Sequence, residues 1–278
     1  MSKISHRTVR GRQHHMVPVE KMVQESISFI REYEPAEGYF VGFSGGKDSI
    51  VTLELARMSG VKHEAYYCCT GIDPPEVVKF IKEYYSMVKW LYPKYSFWRG
   101  IRKEKMPPLR TARWCCDVLK KDPSASIPLR NRLLGLRREE SLLRRQRPII
   151  DYVHSRKQTI YKPIFHWKEW HIWDFIDDHH IPYPSLYDEG FHRIGCVVCP
   201  FLSWKIQMQH RQRWPKMYEI FEGCVRKWYE SRGFVNKPME KRKDIKTVDD
   251  YLLFWYGHSD FKQPKCTCPM NECAGVGK

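Results

Sequence analysis

The chain has 278 residues, 42% hydrophobic and 29% charged, a balance that belongs to a folded globular protein and excludes a disordered one. Its formal charge of +16, from 48 basic and 32 acidic residues, favours anionic partners, nucleotides first and nucleic acid second, although the basic residues are dispersed, with local densities at 7–12, 130–147 and 237–246. No apolar run approaches the ~18–20 residues that span a bilayer, and the basic arm at 1–15 lacks the apolar stretch of a secretion signal, so a cytoplasmic protein with no membrane partner is expected.

In chain order, Val19, Met22, Val23, Ile27, Phe29 and Ile30 recur at helical spacing and predict an amphipathic helix over 17–33. Residues 38–43 form a short apolar run punctuated by glycines, which predicts a buried parallel strand. A helix over 48–59 comes next, then a strand over 63–69 and a helix over 75–91. Strand, glycine turn, helix and strand make a βαβ unit with a right-handed crossover. The stretch 101–147 is very basic, with one apolar island at 133–136. A strand at 159–164 leads into a helix at 167–179, whose Trp167, Trp170 and Trp173 are spaced as core residues; Pro182 and Pro184 then interrupt regular structure. Helix is predicted over 204–232, interrupted at Pro215, and again over 248–256, before an irregular tail. The fold class is α/β, a Rossmann-like parallel sheet with a helical C-terminal extension. Its parts are an N-terminal arm and helix at 1–34, a sheet domain carrying the paired cysteines at 35–200, and a helical extension with a Cys-rich tail at 201–278.

Between the first strand and its helix lies Ser44-Gly45-Gly46-Lys47-Asp48-Ser49. Two glycines let an anion approach the main chain, and the helix beyond them offers oriented amides and a partial positive charge to phosphate oxygens. Lys47 adds a full charge, Ser44 and Ser49 add hydroxyls, and Asp48 is placed to hold Mg²⁺ or cap the helix. The spacing is not that of a Walker loop, which needs four residues between its first Gly and Gly-Lys. The loop resembles that of the ATP pyrophosphatase (PP-loop) superfamily, and residues 38–200 resemble its phosphoadenosine and adenosine phosphosulfate (PAPS and APS) reductase branch. The matching segments come in order: Thr70-Gly71-Ile72-Asp73-Pro74-Pro75-Glu76, then Gly135-Leu136-Arg137-Arg138-Glu139-Glu140-Ser141, then Pro163-Ile164 through Trp173, and last Ile181 through Gly195-Cys196. The resemblance implies an adenine nucleotide alpha hydrolase-like fold. It also implies an adenine nucleotide (ATP, APS or PAPS) held by residues 44–49, Thr70, Gly71, Gly135, Arg137 and Arg138, with Mg²⁺ accompanying ATP. Lys47 and Arg137 are the expected catalytic cations, the arginines holding the sulfate end.

Ten cysteines in a reducing compartment point to metal or redox chemistry rather than disulfides. Cys115-Cys116 and Cys196-Val-Val-Cys199 supply four thiolates, enough for a tetrahedral zinc ion or a [4Fe–4S] cluster. Adjacent cysteines point in different directions, which suits separated irons better than one ion; reduced or redox thiols are the third reading. A Cys-Cys pair upstream of Cys-x-x-Cys also resembles the cluster-binding pattern of the APS reductases. Those enzymes attack the substrate sulfur with a cysteine of a C-terminal Glu-Cys-Gly motif, displacing AMP and leaving a thiosulfonate for thioredoxin. Here Glu272-Cys273-Ala274-Gly275 is similar, with alanine after the cysteine, so Cys273 is the candidate nucleophile; loose metal binding with Cys266 and Cys268, or no role, are its alternatives. The helical stretch 201–256 looks more like that of reductase-like proteins from phages and DNA-modification islands. That likeness implies a second function, an ATP-dependent sulfurtransferase in nucleic-acid modification such as DNA phosphorothioation or tRNA thiolation, with a cysteine desulfurase as partner. A non-catalytic nucleotide-binding iron–sulfur scaffold is the third. A homo-oligomer is expected in each case.

Overall fold

The structure, a computed structural model, describes residues 18–234 and 244–261 together with Met239 and Arg242. The basic arm and the tail cysteines Cys266, Cys268 and Cys273 lie outside the described residues. In chain order the elements are α1 (Val19–Glu32), β1 (Tyr39–Phe43), α2 (Lys47–Ser59), β2 (His63–Cys68), α3 (Pro75–Tyr84), β3 (Lys89–Leu91), α4 (Phe97–Lys103) and α5 (Trp114–Cys116). A π-helical stretch, Asp117–Lys121, then leads to α6 (Asp122–Ala125), β4 (Asn131–Leu134), α7 (Leu142–Arg145), β5 (Ile150–Val153) and β6 (Gln158–Tyr161). The last helices are α8 (Glu169–Asp178), α9 (Trp204–Arg213), α10 (Pro215–Ser231) and α11 (Val248–Tyr256).

These elements sort into two units that are not contiguous in sequence. One takes the chain up to Cys68, Pro74–Leu91 and Ser124–Gly195; the other takes Cys69–Asp73, Tyr92–Pro123 and everything from Cys196 onward. Cys115, Cys116, Cys196 and Cys199 belong with the helical extension, and so do Thr70 and Gly71.

In the first unit the sheet runs β3-β2-β1-β4-β6-β5, parallel throughout except for the β5–β6 pair. Val41 of β1 lies opposite Ala65 on one side and Leu133 on the other, and all three are buried. A strand flanked on both sides and covered on both faces reads as a continuous apolar run, which is why 38–43 is recognisable from sequence. Strand order reverses at β1, and in open α/β sheets the crevice beyond the carboxyl end of such a strand is where ligands bind. α1 turns Met22, Val23, Ser26, Ile27 and Ile30 inward; the Ser26 hydroxyl donates to the Pro163 carbonyl and accepts from the Trp167 indole.

Three strands go beyond the elements expected from the sequence. The helix expected over 75–91 stops at Tyr84, because the Tyr85 ring packs against Phe43 and Phe80, and the residues beyond it pair with β2 as β3. The apolar island in the basic stretch marks β4, whose Arg132 is also buried, its guanidinium 4.1 Å over the Phe40 ring and donating to the Ser124 carbonyl. β5 is a four-residue edge strand paired antiparallel with β6.

The second unit is held by aromatic packing. α10 buries Tyr218, Phe221, Val225 and Trp228, and α11 buries Tyr251, Leu252 and Trp255; the Phe221 and Trp255 rings lie 4.3 Å apart. Two indoles tie the basic segment to these helices: Trp228 donates to the Lys105 carbonyl and Trp255 to the Pro108 carbonyl, each at 2.7 Å. Pro215 opens α10 at its first turn, where its missing N–H costs nothing, so the expected interruption is the α9–α10 boundary. Among the described residues no helix is long and apolar enough to cross a membrane. Trp255→Ala should cost about 3–5 kcal/mol in a urea titration, and Trp255→Phe, which keeps most of the ring but orphans the Pro108 carbonyl, about 1–3 kcal/mol.

Candidate functional site

In the first unit, the chain turns from β1 into α2 through the glycine loop. Gly45 has φ +73°, and a Cβ there would come within 2.8 Å of Val77 and 3.0 Å of Ile81, so both backbone and space require glycine. The loop is closed by its own hydroxyls: the Ser44 amide donates to Ser49 Oγ at 3.1 Å, and Ser49 Oγ donates to the Gly46 carbonyl at 2.8 Å. Gly46 occupies the N-cap position of α2 with no side chain closing the helix end. The capping role considered for Asp48 is therefore not the one observed; its carboxylate is taken by the Arg137 guanidinium instead. Gly135, at the end of β4, explains how the two meet. A Cβ on it would fall 2.5 Å from the Asp48 carbonyl, so only glycine lets the β4 loop come this close to the first turn of α2.

Positive charge gathers here and is matched. Lys47, 4% exposed, donates from Nζ to the His192 carbonyl at 3.0 Å, pairs with Glu169 at 3.4 Å and Asp48 at 3.7 Å, and lies over the Tyr187 ring at 5.3 Å. Its backbone N–H donates to the Tyr187 hydroxyl at 2.9 Å. Burial pushes the Tyr187 phenol up, so it stays protonated and keeps an O–H to offer. Arg137 is buried between Asp48 and Glu139. Glu140 accepts the Arg137 N–H at 3.0 Å and pairs with Arg144, whose pKa burial lowers despite that partner. Arg138 is exposed: its backbone N–H bonds the Phe165 carbonyl, and its guanidinium lies 3.4 Å from His166. Arg193, also exposed, acts electrostatically on both Arg144 and Tyr187. The structure thus joins Ser44–Ser49 with Gly135 and Arg137 at one crevice. It adds Tyr187, Glu169, His192 and Arg193, residues whose role no spacing or composition discloses.

In the second unit, Thr70 and Gly71 form a turn in which the Thr70 amide donates to Asp73 at 2.9 Å and the Ile72 amide to Thr70 Oγ1 at 3.2 Å. The turn is attached to the Cys-x-x-Cys segment, since the Val197 amide donates to the Ile72 carbonyl at 2.8 Å and Thr70 Oγ1 lies 4.0 Å from Cys196 Sγ. Around that segment Gln207 donates to the Cys199 carbonyl, and Tyr218 donates to Gln207 at 2.6 Å. Cys115 and Cys116 sit on α5. The Cys115 thiol donates to Cys116, which with the charges of Arg113 and Lys120 holds Cys116 below the usual thiol range; the same bond, with burial, pushes Cys115 up. Burial raises Cys199 to about 12 and raises Cys196 as well. Cys196, Asp73 and Cys116 together keep the Lys120 ammonium protonated. Among the described residues no three His, Cys, Asp or Glu side chains are grouped to hold a single metal ion. By type, the four cysteines are the donors a thiolate-ligated cluster takes, and the positive charges of Arg113 and Lys120 favour the thiolate at Cys116.

Residues 38–202 match the family model of the phosphoadenosine phosphosulfate reductase domain. An uncharacterized protein of Methanocaldococcus jannaschii is 29% identical over 81% of this chain, and a second protein of that organism is 28% identical over 83%. The match spans only 50% and 61% of those two proteins' own lengths. The adenosine 5'-phosphosulfate reductase of Geobacillus kaustophilus is 28% identical over 61% of this chain and 74% of its own. Among solved structures, the phosphoadenylyl-sulfate reductase of Candida auris in its phosphate complex aligns with 67% of this chain and 98% of its own at 16% identity and a TM-score of 0.49.

Removing the guanidinium would leave Asp48 and Glu139 facing each other. Arg137→Ala should lower stability by about 1–3 kcal/mol in chemical denaturation, less than the ~3–5 of a fully buried pair because both carboxylates are partly solvated. Arg137→Lys should recover part of the loss, since one ammonium cannot bridge both acids as a guanidinium fork does.

Proposed function

The chain belongs to the phosphoadenosine phosphosulfate reductase family, and we propose that it is an adenylyl-sulfate-handling enzyme whose substrate, APS or PAPS, binds at the 44–49 loop. The observation that carries this reading is the loop's position. It lies just past the strand at which the sheet order reverses, with a buried lysine at the first residue of an uncapped helix.

The positive end of α2 and the Lys47 ammonium receive the phosphate oxygens. Arg138 and Arg193, both exposed to solvent, meet the sulfate end, while Arg137 fixes Asp48 and the Gly135 turn. Tyr187 holds the Lys47 amide and offers its O–H toward the same oxygens. Cys115, Cys116, Cys196 and Cys199 would hold a [4Fe–4S] cluster, which when bound supplies fixed charge and positioning rather than electrons. Cys273 supplies the nucleophile: its thiolate forms a bond to the sulfate sulfur, the S–O bond to the nucleotide breaks, and AMP or its 3′-phosphorylated form departs with the electron pair. The resulting S-sulfonated cysteine is reduced by a dithiol, thioredoxin in class, which releases sulfite and becomes a disulfide.

Anaerobic purification followed by iron and sulfide analysis should give about four irons per chain with a broad shoulder near ~400 nm. Sulfite release from APS and PAPS with thioredoxin should then be measured on the same preparation. Cys273→Ser should abolish it, and Lys47→Met should lower kcat/KM by about a hundredfold or more, as loss of a buried cation at a phosphate does. Pyrophosphate release from ATP that depends on added nucleic acid, with no sulfite from either substrate, would replace this reading with a sulfurtransferase. Nucleotide binding without turnover of any of them would leave a scaffold.

A further inference from the structure

We propose that the second unit carries a surface for single-stranded nucleic acid, built on α4 and its flanks from Tyr92, Lys94, Arg99, Arg102, Lys103 and Lys105. The proposal does not depend on what the 44–49 loop binds.

α4 is one-sided. Phe97 and Ile101 are buried, and Gly100 faces Trp114 so closely that a Cβ would lie 2.4 Å from its ring. Arg99, Arg102 and Lys103, three and four residues apart, consequently share the solvent side, and Lys94 and Lys105 extend it at either end. None of these five cations forms an ion pair with a described residue. The single acid between 92 and 105 is Glu104, and it is engaged: the Tyr95 hydroxyl donates to it at 2.5 Å. Elsewhere in the unit several surface arginines are matched, Arg211 by Glu222, Arg226 by Asp249 and Arg242 by Asp244. The faces of α9 and α10 mix such pairs with lysines such as Lys205, Lys216 and Lys227, whereas the solvent side of α4 carries cations alone.

Aromatic rings accompany the charge. Tyr92 is 68% exposed, Trp98 is half-exposed, and Tyr95 lies under the Lys103 ammonium at 4.6 Å from the ring centre. Cations beside a solvent-exposed aromatic ring are the two elements by which proteins hold unpaired strands, since bases must be unstacked to lie on an aromatic face. No aliphatic side chain is exposed between Tyr92 and Lys105, which disfavours a lipid surface. The edge is also held rigid. Lys105 has φ +55°, a left-handed conformation that glycine or asparagine would adopt at less cost, and its carbonyl is fixed by the Trp228 indole at 2.7 Å.

The test uses the full chain and fluorescently labelled oligonucleotides of about 20 nucleotides, as single-stranded DNA, as single-stranded RNA and as the DNA duplex, in anisotropy titrations from ~50 to ~200 mM salt. Binding to one or both single strands, tighter than to duplex, is expected; the DNA and RNA arms decide which strand is preferred. The triple variant R99A/R102A/K103A should lose about tenfold or more in affinity and flatten the salt slope by about 2, three contacts at ~0.7 each. Tyr92→Ala should weaken binding about fivefold to a hundredfold with the slope unchanged. The triple K205A/K216A/K227A, which removes exposed lysines of α9 and α10, should bind as the parent does. No binding, equal loss in both triples, a silent Tyr92→Ala or preference for duplex would each overturn the proposal. Adenine-nucleotide affinity measured on the same variants should not change, so a failure here is separable from a failure at the glycine loop. All four target side chains are exposed, and thermal melts of the variants check that the unit remains folded.

Discussion

A guanidinium buried to 3% exposure between two carboxylates is the contact on which the first unit's crevice is organised. A cation taken out of water is costly unless acids meet it, yet a site for a phosphosulfate or polyphosphate needs several cations close together. The chain resolves this by giving each buried one a local partner: Asp48 and Glu139 for Arg137, Glu140 for Arg144, Glu169 and Asp48 for Lys47. The crevice is thus electrically compensated, and any anion entering it competes with carboxylates that are themselves partly solvated. The same demand fixes the backbone. Arg137 reaches Asp48 only because β4 lies beside β1 in parallel register, so their carboxyl ends emerge together, and because Gly135 has no Cβ to hold α2 away.

The second unit solves a different problem, fixing the course of irregular segments that carry its cysteines. Its means are neutral ones. Indoles donate to the carbonyls of Lys105 and Pro108, an amide donates to Cys199, and a threonine turn is bonded to the segment through Val197. Each of these satisfies a carbonyl or amide that an irregular segment would otherwise leave open, which is how loops without regular structure acquire a fixed course. Lys120 and Arg113 then add positive charge that favours the Cys116 thiolate, and Cys196 and Cys116 in turn keep Lys120 protonated.

Legibility tracks the length scale of the constraint. β1, α2 and the glycine loop are readable because burial on both faces of a strand and a helix N-terminus impose short, local patterns. Pro215 marks its helix boundary for the same reason. β3 is not readable, since three residues with Lys89 at their head carry no alternation, and only pairing with β2 makes them a strand. β4 is hidden by its own arginine: Arg132 reads as surface, and its burial rests on the Phe40 ring, a contact across strands that no local pattern announces. In the crevice, the loop residues and Arg137 are legible, whereas Tyr187, Glu169 and Arg193 are not. Their part depends on bonds made across more than a hundred residues, as between the Tyr187 hydroxyl and the Lys47 amide. Asp48 is legible while its partner is not, because a helix cap is a local expectation and an ion pair from β4 is not.

The net charge shows the same limit. From composition, +16 is one quantity that favours polyanions in general. In the fold it separates into populations with different meanings. Buried cations such as Arg137, Arg144 and Lys162 are committed to acids or carbonyls, Lys162 to the Pro148 carbonyl and Asp151, and contribute to the architecture whatever the protein binds. Matched surface arginines on α9 and α10 contribute little beyond solubility, as exposed pairs do. Only the unmatched remainder projects a field, and along α4 that remainder is local and accompanied by aromatic rings. The partner of each cation, rather than the sum of the charges, therefore decides which polyanion a basic protein of this kind is built to meet.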